Sequence, residues 1–383
     1  MKLKIMMVFG TRPEAIKMAP LARLILRHPD IDLRICSTGQ HREMLASVID
    51  AFELHVDEDL NVMTRDQTLN GLSMHLLEKL DASYAQNNPD IVLVHGDTTT
   101  SFIACLAAFH RHIPVAHIEA GLRTGNLQSP WPEEANRRLT GVLADLHFPP
   151  TETARQNLIN EGINPDHIVV TGNTVIDALL WMKDRLAETN WHPSEGSELA
   201  KINPEQKVVL ITGHRRESLG HGFEQICQAL YELAARYPDI QFVYPVHLNP
   251  RVHDVVHQML GNQTNILLIA PQDYRHFVWL MNRAYLILTD SGGVQEEAPA
   301  LGKPVLVLRN VTERPSGSPD DQAMLVGTDK HKIISQTSRL IEDAAYYNRF
   351  SIPHSPFGDG HACERIIDCL GTWKQLQPQD KCA

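Results

Sequence analysis

Residues 4–26 open with Lys4-Ile5-Met6-Met7-Val8-Phe9, turn through Gly10-Thr11, and continue Arg12-Pro13-Glu14-Ala15-Ile16-Lys17-Met18-Ala19-Pro20 to Leu26. The run to Phe9 is apolar and has the length of a buried strand. From Ala15 to Leu26 the apolar positions recur every three or four residues, the period of an amphipathic helix. Between them Thr11 and Glu14 fit a T-x-x-E capping box, the signature of a helix start. A strand that turns within two residues into a capped helix is the first half of a βα unit, and such units build parallel sheets.

The same alternation runs along nearly the whole chain. Further strands are expected at Leu33–Thr38, Ile91–His95, Val115–Ile118, Leu146–Phe148 and Ile168–Thr171, then at Val208–Ile211, Gln241–Val246, Ile266–Ile269, Leu286–Leu288 and Val305–Leu308. Ser101–His110, Phe223–Arg236 and Ile333–Ala344 carry the helical period. The rhythm restarts after Gly172-Asn173-Thr174, and Trp191 to Pro204 is polar. The expected fold is therefore α/β, with two Rossmann-like doubly wound domains facing a central cleft and meeting near residues 172–205. A last helix, about Ala362 to Gln375, is too short to be a domain and must pack on one of the two.

Composition narrows the function. With 383 residues, 43% hydrophobic and 21% charged, the chain has ordinary globular usage. Its 35 Lys and Arg stand against 46 Asp and Glu, a net charge of −11, which argues against nucleic acid or an anionic membrane as partner. The early apolar run Ile5–Phe9 is too short for a signal segment or a membrane span, so a cytoplasmic protein is expected. Six cysteines show no C-x-x-C pair and read as reduced structural thiols. His253 and His257 stand one turn apart but lack the H-E-x-x-H glutamate, so they are read as part of an amphipathic helix and no metal site is expected.

In open parallel sheets, ligands bind beyond the carboxyl ends of the strands. Here those ends carry Gly10-Thr11-Arg12, Gln40-His41-Arg42, His95-Gly96-Asp97, His117-Ile118-Glu119, Gly213-His214-Arg215-Arg216-Glu217, His247 and Asp290-Ser291-Gly292-Gly293. Two of these turns suit a phosphate. Ser291-Gly292-Gly293 opens a helix whose free N–H groups and dipole face an anion, and Arg12 and Lys17 add positive charge at the start of the first helix. Glu297, four residues after Gly293, can accept from both hydroxyls of a ribose, whereas Glu296 is read as a solvated helix glutamate. Asp97, Glu119 and Glu133 are three carboxylates near cations, a setting in which one can hold a raised pKa for proton transfer.

Together these strings resemble the non-hydrolysing UDP-N-acetylglucosamine 2-epimerases. The resemblance rests on Gly10–Pro20, Gly39–Leu45, His95–Thr100, Glu119–Thr124, Pro130–Arg137, Gly213–Glu217, Asp290–Gly293 and Thr312–Pro315, in order from about residue 3 to 370. It implies a GT-B-like fold: residues 1–172 plus 362–383 as an N-terminal Rossmann-like domain with a C-terminal crossover helix, and 173–361 as a C-terminal UDP-binding one. It also implies reversible conversion of UDP-N-acetylglucosamine to UDP-N-acetylmannosamine with no cofactor, through elimination of UDP to 2-acetamidoglucal. By position it gives Arg12, His214, Ser291, Gly292 and Gly293 to the diphosphate and Glu297 to the ribose. Gln272 and Phe277 go to the uracil, with Arg314 and Lys17 nearby, and Asp97, Glu119, Glu133 and His214 to catalysis.

Bacterial members also carry a second, activating UDP-N-acetylglucosamine site, which here corresponds to Gln40, His41, Gln67, Glu133, Arg215 and His247, and they form homodimers. Two departures stand out. Ser316 follows Pro315 and Asp320-Asp321-Gln322 follow on, where most members read T-E-R-P-E and then A-G-T; Asp66 stands where some members have arginine. The rival readings are a GT-B glycosyltransferase, a hydrolysing 2-epimerase and a non-catalytic sugar-nucleotide sensor.

Overall fold

A computed structural model describes residues 2–39, 42–64, 66–213, 220–310 and 323–376, with side chains except at 42–44 and 374–376. The chain divides into two compact units, Met1–Trp181 with Phe357–Ala383 and Met182–Pro356.

The first unit runs β1 (Leu3–Phe9), α1 (Arg12–Leu26), β2 (Ile31–Ser37), α2 (Arg42–Ala51), β3 (Glu58–Asp59), α3 (Leu69–Asn87), β4 (Ile91–His95), α4 (Thr99–His110), β5 (Val115–Ile118), α5 (Glu133–Leu143), β6 (Leu146–Phe148) and α6 (Glu152–Asn160). Its six strands pair in parallel in the order β3-β2-β1-β4-β5-β6. The order reverses at β1 and β4, and the chain segments leaving these two strands diverge to opposite sides, which opens a binding crevice at their carboxyl ends. Residues of β1 and β4 are almost all buried, as a sheet covered on both faces requires. One face is closed by Leu72, Leu76 and Leu80 of α3 and Ile103 and Ala104 of α4, packed on Met6, Val8, Val92 and Val94. Each buried aliphatic side chain of this size contributes about 1.5–3 kcal/mol.

Helix α7 (Thr174–Glu188) follows, and its residues fall on both sides of the division at Trp181. The second unit continues with β7 (Lys207–Thr212), α8 (His221–Arg236), β8 (Ile240–Pro245), α9 (Pro250–Leu260), β9 (Ile266–Ile269), α10 (Tyr274–Arg283), β10 (Leu286–Thr289), α11 (Gly292–Ala300), β11 (Val305–Val307), β12 (Ala323–Leu325), α12 (Lys330–Glu342) and α13 (Ala344–Phe350). Its sheet is again parallel, in the order β12-β11-β10-β7-β8-β9. The reversal here lies at β7 and β10. Helix α14 (Ala362–Leu376) belongs to the first unit, where the Asp177 carboxylate caps its start by accepting from Ala362 N at 3.3 Å and Cys363 N at 2.8 Å.

Two details depart from the pattern read in the sequence. Ile168–Thr171 is not a strand: a single bridge joins Ile168 to His147, so the segment only brushes the edge of β6. The short β3 and β12 lie at sheet edges, and the two residues of β3, Glu58 and Asp59, carry no apolar pattern that marks a strand.

Candidate active site

At the carboxyl end of β1 the capping box is formed, and it extends beyond its own helix. Glu14 Oε2 accepts from Gly10 N at 3.1 Å, Thr11 N at 2.8 Å and Thr11 Oγ1 at 2.8 Å. Its Oε1 accepts from Thr98 Oγ1 at 2.6 Å and Ser101 Oγ at 3.3 Å, both at the start of α4. One buried carboxyl therefore ties the turn after β1 to the turn after β4. Burial raises its pKa, against the lowering effect of these hydrogen bonds.

The acids of the first unit gather around the same turns. Glu119, immediately after β5, pairs with Lys17 of α1. Its Oε2 also accepts from Asn173 Nδ2 at 3.0 Å and lies 3.5 Å from His95 Nε2. Burial holds His95 down to about 4, so at neutral pH this last contact joins a neutral imidazole to the carboxylate and is not an ion pair. Asp97 pairs with Arg137 of α5, and Asn136 Nδ2 donates to the Asp97 carbonyl at 3.0 Å. Arg137 Nη1 reaches Glu134 Oε2 at 3.1 Å, and Glu134, fully buried, accepts from Thr124 N at 3.1 Å and Gly125 N at 3.2 Å. The Asp97 carboxyl is raised, first by burial and further by the charge of Glu119, against the pull of Arg137 and Lys17. His117 Nε2 donates to Gly96 O at 2.7 Å, which steadies the turn that carries Asp97. The loop after Glu119 needs glycine at 121: its φ is 83°, and a Cβ there would lie 2.2 Å from the Ala154 carbonyl.

In the second unit, β10 ends in Asp290 and Ser291, and α11 begins at Gly292 with Ser291 as its N-cap. Ser291 makes no side-chain cap bond, while its own N–H donates to Thr289 Oγ1 at 3.0 Å. Gly292 and Gly293 bring no side chain over the helix start, which leaves room for an anion against the N–H groups. A Cβ at Gly293 would lie 3.5 Å from Glu297 Oε2, so the Glu297 carboxyl stands beside the same turn. Tyr274 of α10 donates to Glu297 Oε1 at 3.1 Å. Gln272, just before α10, donates to Ala270 O at 2.7 Å, and Phe277 is half-buried on that helix.

Comparison with known proteins decides the family. The family model described as UDP-N-acetylglucosamine 2-epimerase matches residues 23–371. The chain is 54% identical over 369 residues to the UDP-N-acetylglucosamine 2-epimerase of Escherichia coli O157:H7, covering 96% of this chain and 98% of that one. This chain belongs to the UDP-N-acetylglucosamine 2-epimerase family. The crystal structure of the Neisseria meningitidis family member bound to UDP-GlcNAc superposes with a TM-score of 0.89 at 48% identity, covering 97% of this chain and 100% of that one. That of Methanocaldococcus jannaschii, in complex with UDP-GlcNAc and UDP, gives 0.78 at 32% identity, with 97% and 100% covered. These superpositions cover nearly the whole of this chain, with its two parallel six-stranded sheets and flanking helices.

Within this epimerase frame the structure brings Lys17, Asp97 and Glu119 into one cluster of the first unit. Arg12 opens α1, the helix that carries Lys17, and Glu133, half-buried, opens α5 beside Glu134. Ser291, Gly292, Gly293 and Glu297 share one turn of the second unit. Gln67, of the first unit, pairs with His75 at 2.9 Å, and His247, exposed in the second, accepts from Asn249 N at 3.0 Å. Gln40, His41, His214, Arg215, Arg314 and the atypical stretch 316–322 lie outside the described residues.

One reading is corrected. Glu296 is not solvated but 1% exposed, because α11 is buried on nearly every side and leaves no outer face for it. Sequence reasoning also passed over Glu134, Arg137, Tyr274 and Asn173 as site residues. Glu134 and Arg137 carried a usable signal, since residues three apart on a helix share a face. Among the described residues no group of three or more His, Cys, Asp or Glu side chains could hold a metal ion, and no helix is long and apolar enough to cross a membrane.

Proposed function

We propose that this chain interconverts UDP-N-acetylglucosamine and UDP-N-acetylmannosamine reversibly and without hydrolysis. The observation that carries the reading is the pairing of two carboxylates, Asp97 and Glu119, with Lys17 and Arg137, one of the acids being raised by burial. Inverting C2 requires removing its hydrogen and returning one to the other face. That hydrogen is weakly acidic, since no carbonyl adjoins C2. If the C1–oxygen bond breaks and its electron pair leaves with UDP, the C2 proton can pass to a carboxylate while the C1–C2 double bond of 2-acetamidoglucal forms. UDP then adds back to C1 as a proton arrives on the opposite face of C2.

Asp97, Glu119 and Glu133 are the acids and bases of this reading. Ser291, Gly292, Gly293 and Arg12 take the diphosphate, with His214 and Arg314. Glu297 takes the ribose, and Gln272 and Phe277 the uracil. A leaving diphosphate is best stabilised by such preorganised donors and cations, because its negative charge grows in the transition state. A second UDP-N-acetylglucosamine acts as activator at Gln40, His41, Gln67, Arg215 and His247. The product feeds polysaccharide synthesis in the cytoplasm. A homodimer is supported by exposed apolar side chains on two helices that both pack on α4, Met74 of α3 and Leu139 and Val142 of α5, of which Val142 is 72% exposed.

Incubation with UDP-N-acetylglucosamine alone in D2O tests the reading. Deuterium should enter C2 of both epimers with no free UDP accumulating by phosphorus NMR. Steady release of UDP with free N-acetylmannosamine would assign a hydrolysing enzyme instead, and exchange that needs an added acceptor would assign a glycosyltransferase.

A further inference from the structure

Glu119 is held by more than its charge. Its backbone lies at φ 60°, a conformation that costs a non-glycine residue about 1–3 kcal/mol and persists only where the surroundings impose it. Three groups from separate segments converge on its Oε2: Lys17, His95 and Asn173. Lys17 brings charge. His95 is neutral, and its Nε2, although near, makes no hydrogen bond. Asn173 is different in kind: it is 2% exposed, donates at 3.0 Å, and cannot change its protonation.

Asn173 is itself fixed on two other sides. Its N–H donates to Phe357 O at 2.6 Å, and its Oδ1 accepts from Val175 N at 3.1 Å, which caps the start of α7. Because the helix start claims the side-chain oxygen, the amide has only one orientation, and the NH2 group must face Glu119.

We propose that Asn173 is a positioning residue for Glu119 in the transfer of the C2 proton, holding the carboxylate on a neutral donor anchored by α7. The proposal rests on the reading that Glu119 exchanges that proton. Without the donor, Oε2 would keep Lys17 but lose the contact that fixes the carboxylate plane, and the acid would turn away from the substrate.

Two variants separate this role from helix capping. Asn173→Asp keeps an oxygen for Val175 N but faces Glu119 with an acceptor, and Asn173→Ser keeps a capping hydroxyl too short to reach Glu119. Asn, Asp and Ser cap about equally well, so α7 keeps its cap in both. Asn173→Ser should stay near the wild-type unfolding midpoint, whereas Asn173→Asp sets an acceptor against Glu119 in a buried place and should lower it while leaving the chain folded at assay temperature. Both should lose roughly 10- to 100-fold in kcat, the scale of one hydrogen bond to a charged group, with KM nearly unchanged. Among the described residues the titratable groups facing Glu119 include Lys17 on α1, His95 on β4, Asp97 after β4 and His117 on β5. All are untouched in both variants, so the limb of the kcat–pH profile that Glu119 sets should move to higher pH in Asn173→Asp and less in Asn173→Ser.

Wild-type kcat and pH profile in either variant would overturn the proposal, as would an activity loss that only tracks the fraction of unfolded protein. Glu119→Gln is the companion control. If it is fully active, or if the wild-type chain exchanges no deuterium, the reading of Glu119 falls and the proposal falls with it. If Glu119→Gln is impaired while the Asn173 variants are normal, only the role of Asn173 is lost.

Discussion

Replacing Glu14 by glutamine and by alanine separates the charge of this buried carboxyl from the hydrogen bonds it organises. In Glu14→Gln the amide oxygen can stand where Oε2 stands and accept from Gly10 N, Thr11 N and Thr11 Oγ1. The NH2 group then meets the hydroxyls of Thr98 and Ser101, which can rotate to accept. Their own protons can turn to each other and to the Thr98 carbonyl, no backbone N–H loses its partner, and the cost of burying a charge disappears, so the change should stay within about 1 kcal/mol. Glu14→Ala instead strands two buried N–H groups at about 1–3 kcal/mol each, together roughly 2–6 kcal/mol. The pH dependence follows from the raised carboxyl. A carboxyl that holds its proton more tightly when folded stabilises fully below its unfolded pKa, near the ordinary 4.5, and loses that contribution as pH rises through the folded value. Glutamine has no proton to lose. The stability of Glu14→Gln relative to wild type should therefore climb from acidic towards neutral pH and then level. Urea midpoints at constant m measure this. A gap that shrinks with rising pH, or a glutamine variant as damaged as the alanine one, would show that the charge itself holds the turn and would refute the reasoning.

Asp97→Asn should leave UDP affinity near normal and cut turnover by about two decades or more, the scale of a general acid or base; near-normal turnover would remove Asp97 from the mechanism. Arg12→Ala should raise the Kd for UDP and slow the elimination, about tenfold each, because a charge-assisted phosphate contact is lost, and unchanged kinetics would count against a diphosphate role. Gly121→Ala forces a side chain into the left-handed region at about 1–2 kcal/mol and onto the Ala154 carbonyl, so the urea midpoint should fall clearly; an unaltered midpoint would mean the loop relaxes freely. UDP binding should take up protons from solvent near neutral pH, an uptake read by calorimetry in buffers of different ionisation heat and diminished in Asp97→Asn; binding with no proton change would contradict it.

The fold was legible because its signal is repetitive. Each strand buried on both faces is a near-continuous apolar run, as in Ile91–His95 and Val115–Ile118, and each following helix shows its own period. The elements that escaped have no such signal: β3 is the pair Glu58-Asp59, ordered by pairing with Cys36 and Ser37 rather than by its own composition. Ile168–Thr171 reads as a strand because it is apolar, yet it lies past the last full strand and makes only a single bridge, with two backbone hydrogen bonds to β6 and the residue after it. At the site, residue type and position after a strand located Asp97, Glu119 and Ser291. The polar residues behind the acids sit in segments distant in sequence: Asn173 donates to Glu119, Glu134 holds the Arg137 that pairs with Asp97, and Tyr274 donates to Glu297, relations that appear only when α5, α7 and α10 fold back on the turns.

The histidines of the first sheet explain why so few groups carry charge among these acids. His95, His117 and His147 stand on the adjacent strands β4, β5 and β6, and burial lowers them to about 4, about 4 and about 3. At neutral pH they are uncharged, and the cations that pair with Asp97 and Glu119 among the described residues include Arg137 and Lys17, each with one acid. A substrate arriving with two phosphates adds negative charge to this balance, and like charge favours the protonated form of a carboxyl. Asp97 starts from the raised side, with Glu119 contributing to the rise, and in the proposed reaction it would be the acid that holds a proton once substrate is bound. In this reading the nucleotide that must leave also prepares the proton donor needed for its return.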